Sequence, residues 1–396
     1  MSQPLISRSP DLKKLRDEGY DLEIRSGCLL VKDVPYTNSR REIKRGILVI
    51  KLVLAGDQTG CPDTHIAYFS GEYPCNEDGS EIVKIKHSSN AHSIAEGVSV
   101  NHSFSAKPKP ANSYPDYYAQ VTTYVAILSS PAQRIDSTVT AKTFPVIAPD
   151  GDSDEPFNYT DTASSRAEIV QVTKKMALKN ISILGLGGTG SYVLDLVAKT
   201  PVKEIHLYDG DTFYQHNAFR SPGAPSSDDL RARQPKATYF KNLYAKMHRG
   251  IVDHPMYLDA DNVEELRGMD FVFVCLDKGS AKKLIIEKLE EFGIPFIDVG
   301  IGVYLGDESL GGTLRVTTST IEKREHINRR VSFSDNNGNN EYAQNIQIAD
   351  LNALNAALAV IKWKKILGFY EDYQHEHNIT YTIGGNTLIN EDQLEG

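Results

Sequence analysis

Residues 181–196 read ISILGLGGTGSYVLDL, and few stretches leave a chain so little choice. A short apolar strand, Ile181 to Leu184, runs into Gly185-Leu186-Gly187-Gly188-Thr189-Gly190, and apolar residues at helical spacing follow. Glycine lets the backbone turn tightly and lets an anion approach the amides, and the first turn of the new helix presents unpaired N–H groups with roughly half a positive charge. Asp209 stands 19 residues past Gly190, at the end of the next apolar strand. A carboxylate there suits the hydroxyls of a ribose. The loop therefore predicts a nucleotide without saying which one, since G-x-G-x-x-G with a strand-end acid also fits NAD.

The chain around the loop repeats the alternation. Ile205–Tyr208, Phe271–Cys275 and Pro295–Val299 read as short buried strands. Gly190–Lys199, Ala237–Met247 and Ser280–Phe292 read as the helices between them. Buried strands alternating with amphipathic helices predict a doubly wound, Rossmann-like α/β sheet. A last long helix is expected over 347–367, with Ile348, Leu351, Leu354, Leu358 and Ile361 on one face as core or oligomer interface.

The first 145 residues read differently. Pro10–Glu18 predicts a short helix, Asp21–Val34 a hairpin around Ser26-Gly27, and Ile43–Ala55 and Thr64–Ser70 two more strands; Tyr114–Leu128 predicts a helix with Pro115 near its start. This is a smaller α+β domain. Between Pro145 and Asp161 lie three prolines and five acidic residues, a composition that buries little apolar surface and reads as a linker. The expected organisation is a domain over 1–145, a linker over 146–163 and the α/β domain over 164–396.

The residues after Asp209 favour ATP over NAD. The segment LYDGDTFYQHNAFR gathers Asp209, Asp211, Asn217 and Arg220 after one strand, Gln234-Pro235-Lys236 opens a helix, and Asp277 comes just after the FVFVC strand. Two cations and a strand-end carboxylate suit a triphosphate with Mg²⁺, whereas a dinucleotide's pyrophosphate needs no such set. His206, His216 and His248 read as turn or surface residues. His375 and His377 flank Glu376 without metal-site spacing and read as a solvated cluster.

Together, GLGGTGS at 185–191, DGD at 209–211, HNAFR at 216–220, QPK at 234–236 and CLD at 275–277 make residues 166 to about 370 resemble the ThiF-type adenylating fold. Enzymes that activate ubiquitin, ubiquitin-like proteins and sulfur carriers share it. The resemblance implies adenylation of a carrier protein's C-terminal carboxylate with ATP and Mg²⁺, in a homodimer. It places Gly185, Gly187, Gly188 and Gly190 around the nucleotide and Asp209 on its ribose, with Asp211 close by. It places Asn217, Arg220 and Lys236 at the phosphates and Asp277 at the metal. Arg166, in ASSRAEI, matches an arginine lent to the partner's site. Ser221 and Lys278 depart from the family, which often has Gln and Asn there. The architecture is similar to bacterial members that carry an extra N-terminal domain, and a helix followed by a strand meander fits a degenerate ubiquitin-conjugating-like fold. The alternatives are an NAD(P)-dependent oxidoreductase and a non-catalytic adapter for a ubiquitin-like tail.

The four cysteines, Cys28, Cys61, Cys75 and Cys275, form no CxxC pair and suggest neither zinc nor a disulfide scaffold. Many family members pass the activated carboxyl to a cysteine beyond the strand-end aspartate, yet residues 300–396 contain none. A conventional thioester step is therefore not expected, and Cys75 is the one candidate acceptor. The polar segment over 331–345 is a candidate lid. A net charge of −9 disfavours a general binder of nucleic acid or anionic membrane. With no apolar signal core and no apolar run of about 18 residues, the expectation is a soluble cytoplasmic protein.

Overall fold

A computed structural model describes residues 2–110, 113–149, 155–333 and 346–394. The candidate lid lies almost wholly outside the described residues. The chain divides into two compact units, 1–153 and 154–396.

The first unit opens with helices α1 (Ser2–Arg8) and α2 (Pro10–Asp17). Strands β1 (Leu22–Arg25), β2 (Cys28–Thr37), β3 (Ile43–Lys51), β4 (Ile66–Ser70), β5 (Lys86–Ser88) and β6 (His102–Ser105) come next, then helix α3 (Tyr117–Ile135). The six strands form one antiparallel sheet in the order β1-β2-β3-β4-β6-β5. The helix and meander expected from the sequence are there, and the sheet runs on for two further strands. Side chains alternate across it as a pleated strand dictates. Leu29, Val31, Leu48 and Ile50 share a core with Leu12, Leu15, Tyr117, Val121 and Leu128, while Cys28, Leu30 and Val49 face a smaller cluster with Val98 and Val100. α3 starts three residues later than its apolar pattern because Asp116 caps it, accepting the Ala119 N–H at 2.7 Å.

The second unit begins inside the acidic stretch. Phe157 is buried and packs edge-on against His248, and Asn158 bonds to the Ala245 and Met247 carbonyls. One aromatic residue thus anchors what composition alone reads as unattached. Helix α4 (Thr162–Arg166) comes next, capped by Asp161. The elements then run β7 (Asn180–Leu184), α5 (Gly188–Val197), β8 (Glu204–Tyr208), α6 (Lys236–Tyr244), β9 (Ile251–His254), β10 (Phe271–Val274) and α7 (Gly279–Phe292). They close with β11 (Phe296–Leu305), β12 (Leu310–Ser319), α8 (Ala349–Ile366), β13 (Asn378–Thr382) and β14 (Thr387–Glu391).

The sheet order is β9-β8-β7-β10-β11-β12-β13-β14, parallel from β9 to β11 and antiparallel beyond. β7, β10 and the helices bury their apolar faces together around Ile181, Ile183, Val193, Phe240, Phe271, Phe273 and Trp363. From β7 the chain first builds toward β9, then crosses back to place β10 on the other side of β7. This reversal opens a crevice at the carboxyl edge, where ligands bind in such sheets.

α8 occupies its expected span with a shifted face. Asn352, Asn355, Ala356, Ala359, Val360 and Trp363 are buried, whereas Ile361 is exposed and Leu351, Leu354 and Leu358 are partly so. The helix packs on α5, where Asn352 meets Gly188 and Thr189. Two further expectations are corrected. His248 is fully buried: Nε2 donates to the Val202 carbonyl at 2.8 Å and Nδ1 accepts from the Gly250 N–H at 3.1 Å. Glu376 and His377 are buried rather than solvated, because α8 brings Lys365 to Glu376 at 2.9 Å and Thr320 lies 3.2 Å from His377.

Candidate active site

The glycine loop joins β7 to α5, and each glycine has its own physical reason. Gly185 has φ +86°, and a Cβ there would come within 2.7 Å of the Cys275 carbonyl oxygen. A Cβ on Gly188 would press into the Asn352 amide, and one on Gly190 would overlap the Gly185 carbonyl. At Gly187, which caps α5, an added Cβ would meet nothing within 4 Å among the described residues. Three glycines thus serve the fold, and the fourth leaves its backbone open.

β8 delivers Asp209 to the same edge. The carboxylate is buried and tied on both oxygens: Oδ2 accepts the Leu186 N–H of the glycine loop at 2.7 Å, and Oδ1 accepts the Asp211 N–H at 2.9 Å. Burial pushes this carboxyl up, against the pull of Lys236 at 3.7 Å. Lys236 opens α6 and is itself buried, its Nζ 2.6 Å from Asp211 Oδ2. Partial burial works against ionisation of Asp211, but the Lys236 ammonium and the Tyr257 hydroxyl outweigh it and hold the carboxyl below its ordinary range.

A single helical turn, Gln215–Ala218, and the residues just after it carry the next pair. Asn217 is buried; its Oδ1 accepts the Tyr214 N–H at 2.8 Å and its Nδ2 has no partner among the described residues. Three residues on, the buried Nε of Arg220 also lacks one. Asp211, Asn217, Arg220 and Lys236 line one cleft of about 390 Å³, together with Gly210, Thr212, Tyr214, His216 and Tyr257. The charges and unpaired donors suit an anionic ligand; a buried donor without a partner costs about 1–3 kcal/mol, which a phosphate oxygen offsets.

Asp277 stands exposed just past β10, at the same carboxyl edge, and its charge helps to raise the Tyr257 phenol. Among the described residues, no three His, Cys, Asp or Glu side chains gather as a metal cage. That is compatible with Mg²⁺, which takes one or two carboxylates and completes its shell with phosphate oxygens and water. Arg166 is exposed at the end of α4, apart from the residues that line the cleft.

Three contributors lie outside the motifs. Asn352 accepts from Thr189 Oγ1 at 3.1 Å and donates to the Arg220 carbonyl at 3.2 Å, bracing the glycine loop against the segment that carries Arg220. Gln347 accepts the Gly188 N–H at 3.2 Å. Tyr257, after β9, donates to Asp211. Two asparagines at i and i+3 among the leucines and alanines of the helix's first half are the visible signal for the first; nothing local singles out Tyr257.

The cysteines do not converge on this site. Cys75 is 1% exposed, lies between short bridges to Thr37 and Glu81, and has its thiol pushed up by burial. This is the setting of a structural residue rather than an acyl acceptor. Burial likewise raises Cys28 and Cys275. Cys275 stands just past the end of β10, partly buried, rather than inside the strand.

Residues 164–381, more than half of the chain, match the ThiF family, and the protein belongs to it. Residues 10–162 match a family described as Domain of unknown function (DUF6791). The SUMO-activating enzyme subunit uba-2 of Caenorhabditis elegans is 25% identical over 142 residues. That match spans 35% of this chain and 24% of the relative, so the chain covers about a quarter of that protein's length. Among solved structures, E. coli MccB with ATP is 19% identical, covering 59% of this chain and 69% of that one with a TM-score of 0.42. PaaA is 17% identical over 56% and 75%, with a TM-score of 0.43. Among the described residues, no helix is long and apolar enough to cross a membrane.

Proposed function

We propose that the chain uses ATP to adenylate the C-terminal carboxylate of a ubiquitin-like or sulfur-carrier protein. The reading rests above all on one observation: two unpartnered buried donors, Asn217 Nδ2 and Arg220 Nε, on residues that share a cleft with the Lys236 ammonium. In this reading a carboxylate oxygen of the tail attacks the α-phosphorus of ATP. The bond from the α-phosphorus to the α,β-bridging oxygen breaks, giving an acyl-adenylate and pyrophosphate. The tail carboxylate is already ionised at pH 7, so no general base is needed. The difficulty is bringing an anion to a polyanion, and Arg220, Lys236 and the amides around Gly187 offset that repulsion. Asp209, fixed by two backbone amides, keeps lone pairs for the ribose. Asp277 would hold a Mg²⁺ that neutralises charge on the departing pyrophosphate. Arg166 would reach the site of a second copy in a homodimer. No cysteine lies in residues 300–396, beyond the strand-end aspartate, so in this reading the adenylate is not handed to a cysteine in the conventional way.

The test is ATP–pyrophosphate exchange with Mg²⁺ and a candidate tail. Asp277→Asn should lower the exchange rate roughly 100-fold. Exchange that is unchanged removes Asp277 from the metal, and no exchange with any carrier tail removes the reading. Mass spectrometry of the same mixture should find an AMP adduct rather than a DTT-sensitive one.

A further inference from the structure

The carboxylate of Asp211 is shared between two donors. Oδ2 lies 2.6 Å from Lys236 Nζ, and Oδ1 accepts the Tyr257 hydroxyl. The tyrosine is not a core residue, being 56% exposed. Its ring lies flat against the chain at Gly210, where a Cβ would come within 2.7 Å of ring carbons. The Lys278 ammonium stands 5.1 Å from the ring centroid. A surface phenol ordinarily keeps its hydroxyl in water, yet this one is committed to a carboxylate that already has a lysine.

The arrangement makes sense if the lysine has to leave. Lys236 is almost fully buried and holds its charge against Asp211 in the nucleotide-free site. To meet a phosphate it must give up some of that contact, which leaves the half-exposed Asp211 carboxylate without its counter-charge beside the like charge of Asp209, and that is costly. A second donor, already in place, lowers that cost. Resting on the adenylation reading above, we propose that Tyr257 is a positioning residue: its hydroxyl holds Asp211 while Lys236 turns from the carboxylate to the phosphates of ATP. Gly210 is the companion requirement, since any side chain there would push the ring off the backbone and its hydroxyl off Asp211.

A double-mutant cycle on the full chain tests this. Calorimetry measures ATP affinity for wild type, Tyr257→Phe, Asp211→Asn and the double variant. Tyr257→Phe should weaken ATP binding about five- to tenfold, raise the KM for ATP correspondingly, and leave kcat within about twofold. Its melting temperature should stay at the wild-type value, because the exposed ring is kept. In the Asp211→Asn background the same change should have less than about a twofold effect. Equal losses in both backgrounds, or no loss in either, overturn the proposal while leaving adenylation intact. Wild-type protein that does not bind ATP overturns the adenylation reading, and the proposal falls with it.

Discussion

Gly187 and Gly190 sit three residues apart in one loop, and replacing each with alanine should produce opposite outcomes. At Gly190, within α5, alanine would ordinarily gain about 1 kcal/mol from helix propensity. Here its methyl would overlap the Gly185 carbonyl and stand 3.0 Å from Cys275 Cβ. The clash is with backbone, so the loop must move, at about 1–3 kcal/mol for overpacking. A net loss of up to about 2 kcal/mol lowers the melting point of a unit this size by up to roughly 4–8 °C. Nucleotide binding falls as well, because Gly185 carries Leu186, whose amide fixes Asp209. At Gly187 a methyl meets no atom of the described residues within 4 Å. Stability should stay within about 1 kcal/mol of wild type, the new side chain even trimming unfolded-state entropy. The methyl instead takes the space through which phosphate oxygens reach the amides. Losing one or two charge-assisted bonds of about 1.5–3 kcal/mol weakens ATP binding roughly 10- to 100-fold. Thermal unfolding and calorimetric titration of both variants separate the cases. Gly187→Ala protein that binds ATP like wild type, or Gly190→Ala protein that melts with it, refutes this assignment of the glycines.

Asn352→Asp keeps an acceptor for Thr189 but faces the Arg220 carbonyl with a carboxylate. It should lower kcat for exchange about tenfold or more with KM for ATP changed less than threefold; a pure KM effect would contradict the bracing role. His248 needs its neutral form, donating from Nε2 and accepting at Nδ1, and burial holds its pKa below the ordinary value. The unfolded chain therefore binds the extra proton first. The histidine's contribution is complete at neutral pH and is lost as pH falls below about 6.5 toward the depressed folded value. Denaturant titrations at pH 7.5 and 5.5, with His248→Asn flattening the difference, measure it. A thiol reagent applied to native protein should label exposed Cys61 first, with Cys28 and Cys75 reacting only on unfolding; early modification of Cys75 would reopen its candidacy as acceptor.

The motifs are legible because their residues are close in sequence and their chemistry is local. A strand, a glycine turn and a helix start dictate one another over ten residues, so 181–190 can be read from conformational requirements alone. The same holds for Asp209 at a strand end and for Asn217, whose side chain bonds back to a neighbouring amide. α8 marks where that kind of reading stops. Its helical period is plain, but choosing the buried face by which residues look most apolar puts Leu351, Leu354 and Ile361 inward. The fold instead turns Asn352 and Asn355 in, because the glycine loop, the Arg220 carbonyl and the Gly300 carbonyl present donors and acceptors that apolar residues would leave unpaired. Tyr257 is the same case across a longer gap: 46 residues separate it from Asp211, and only the parallel pairing of β8 with β9 brings them together. Polar residues that serve a site by holding another residue leave no local period. They are found only once the sheet order is known, and for that reason the second layer of this site, not its first, is where substitution should separate nucleotide binding from chemistry.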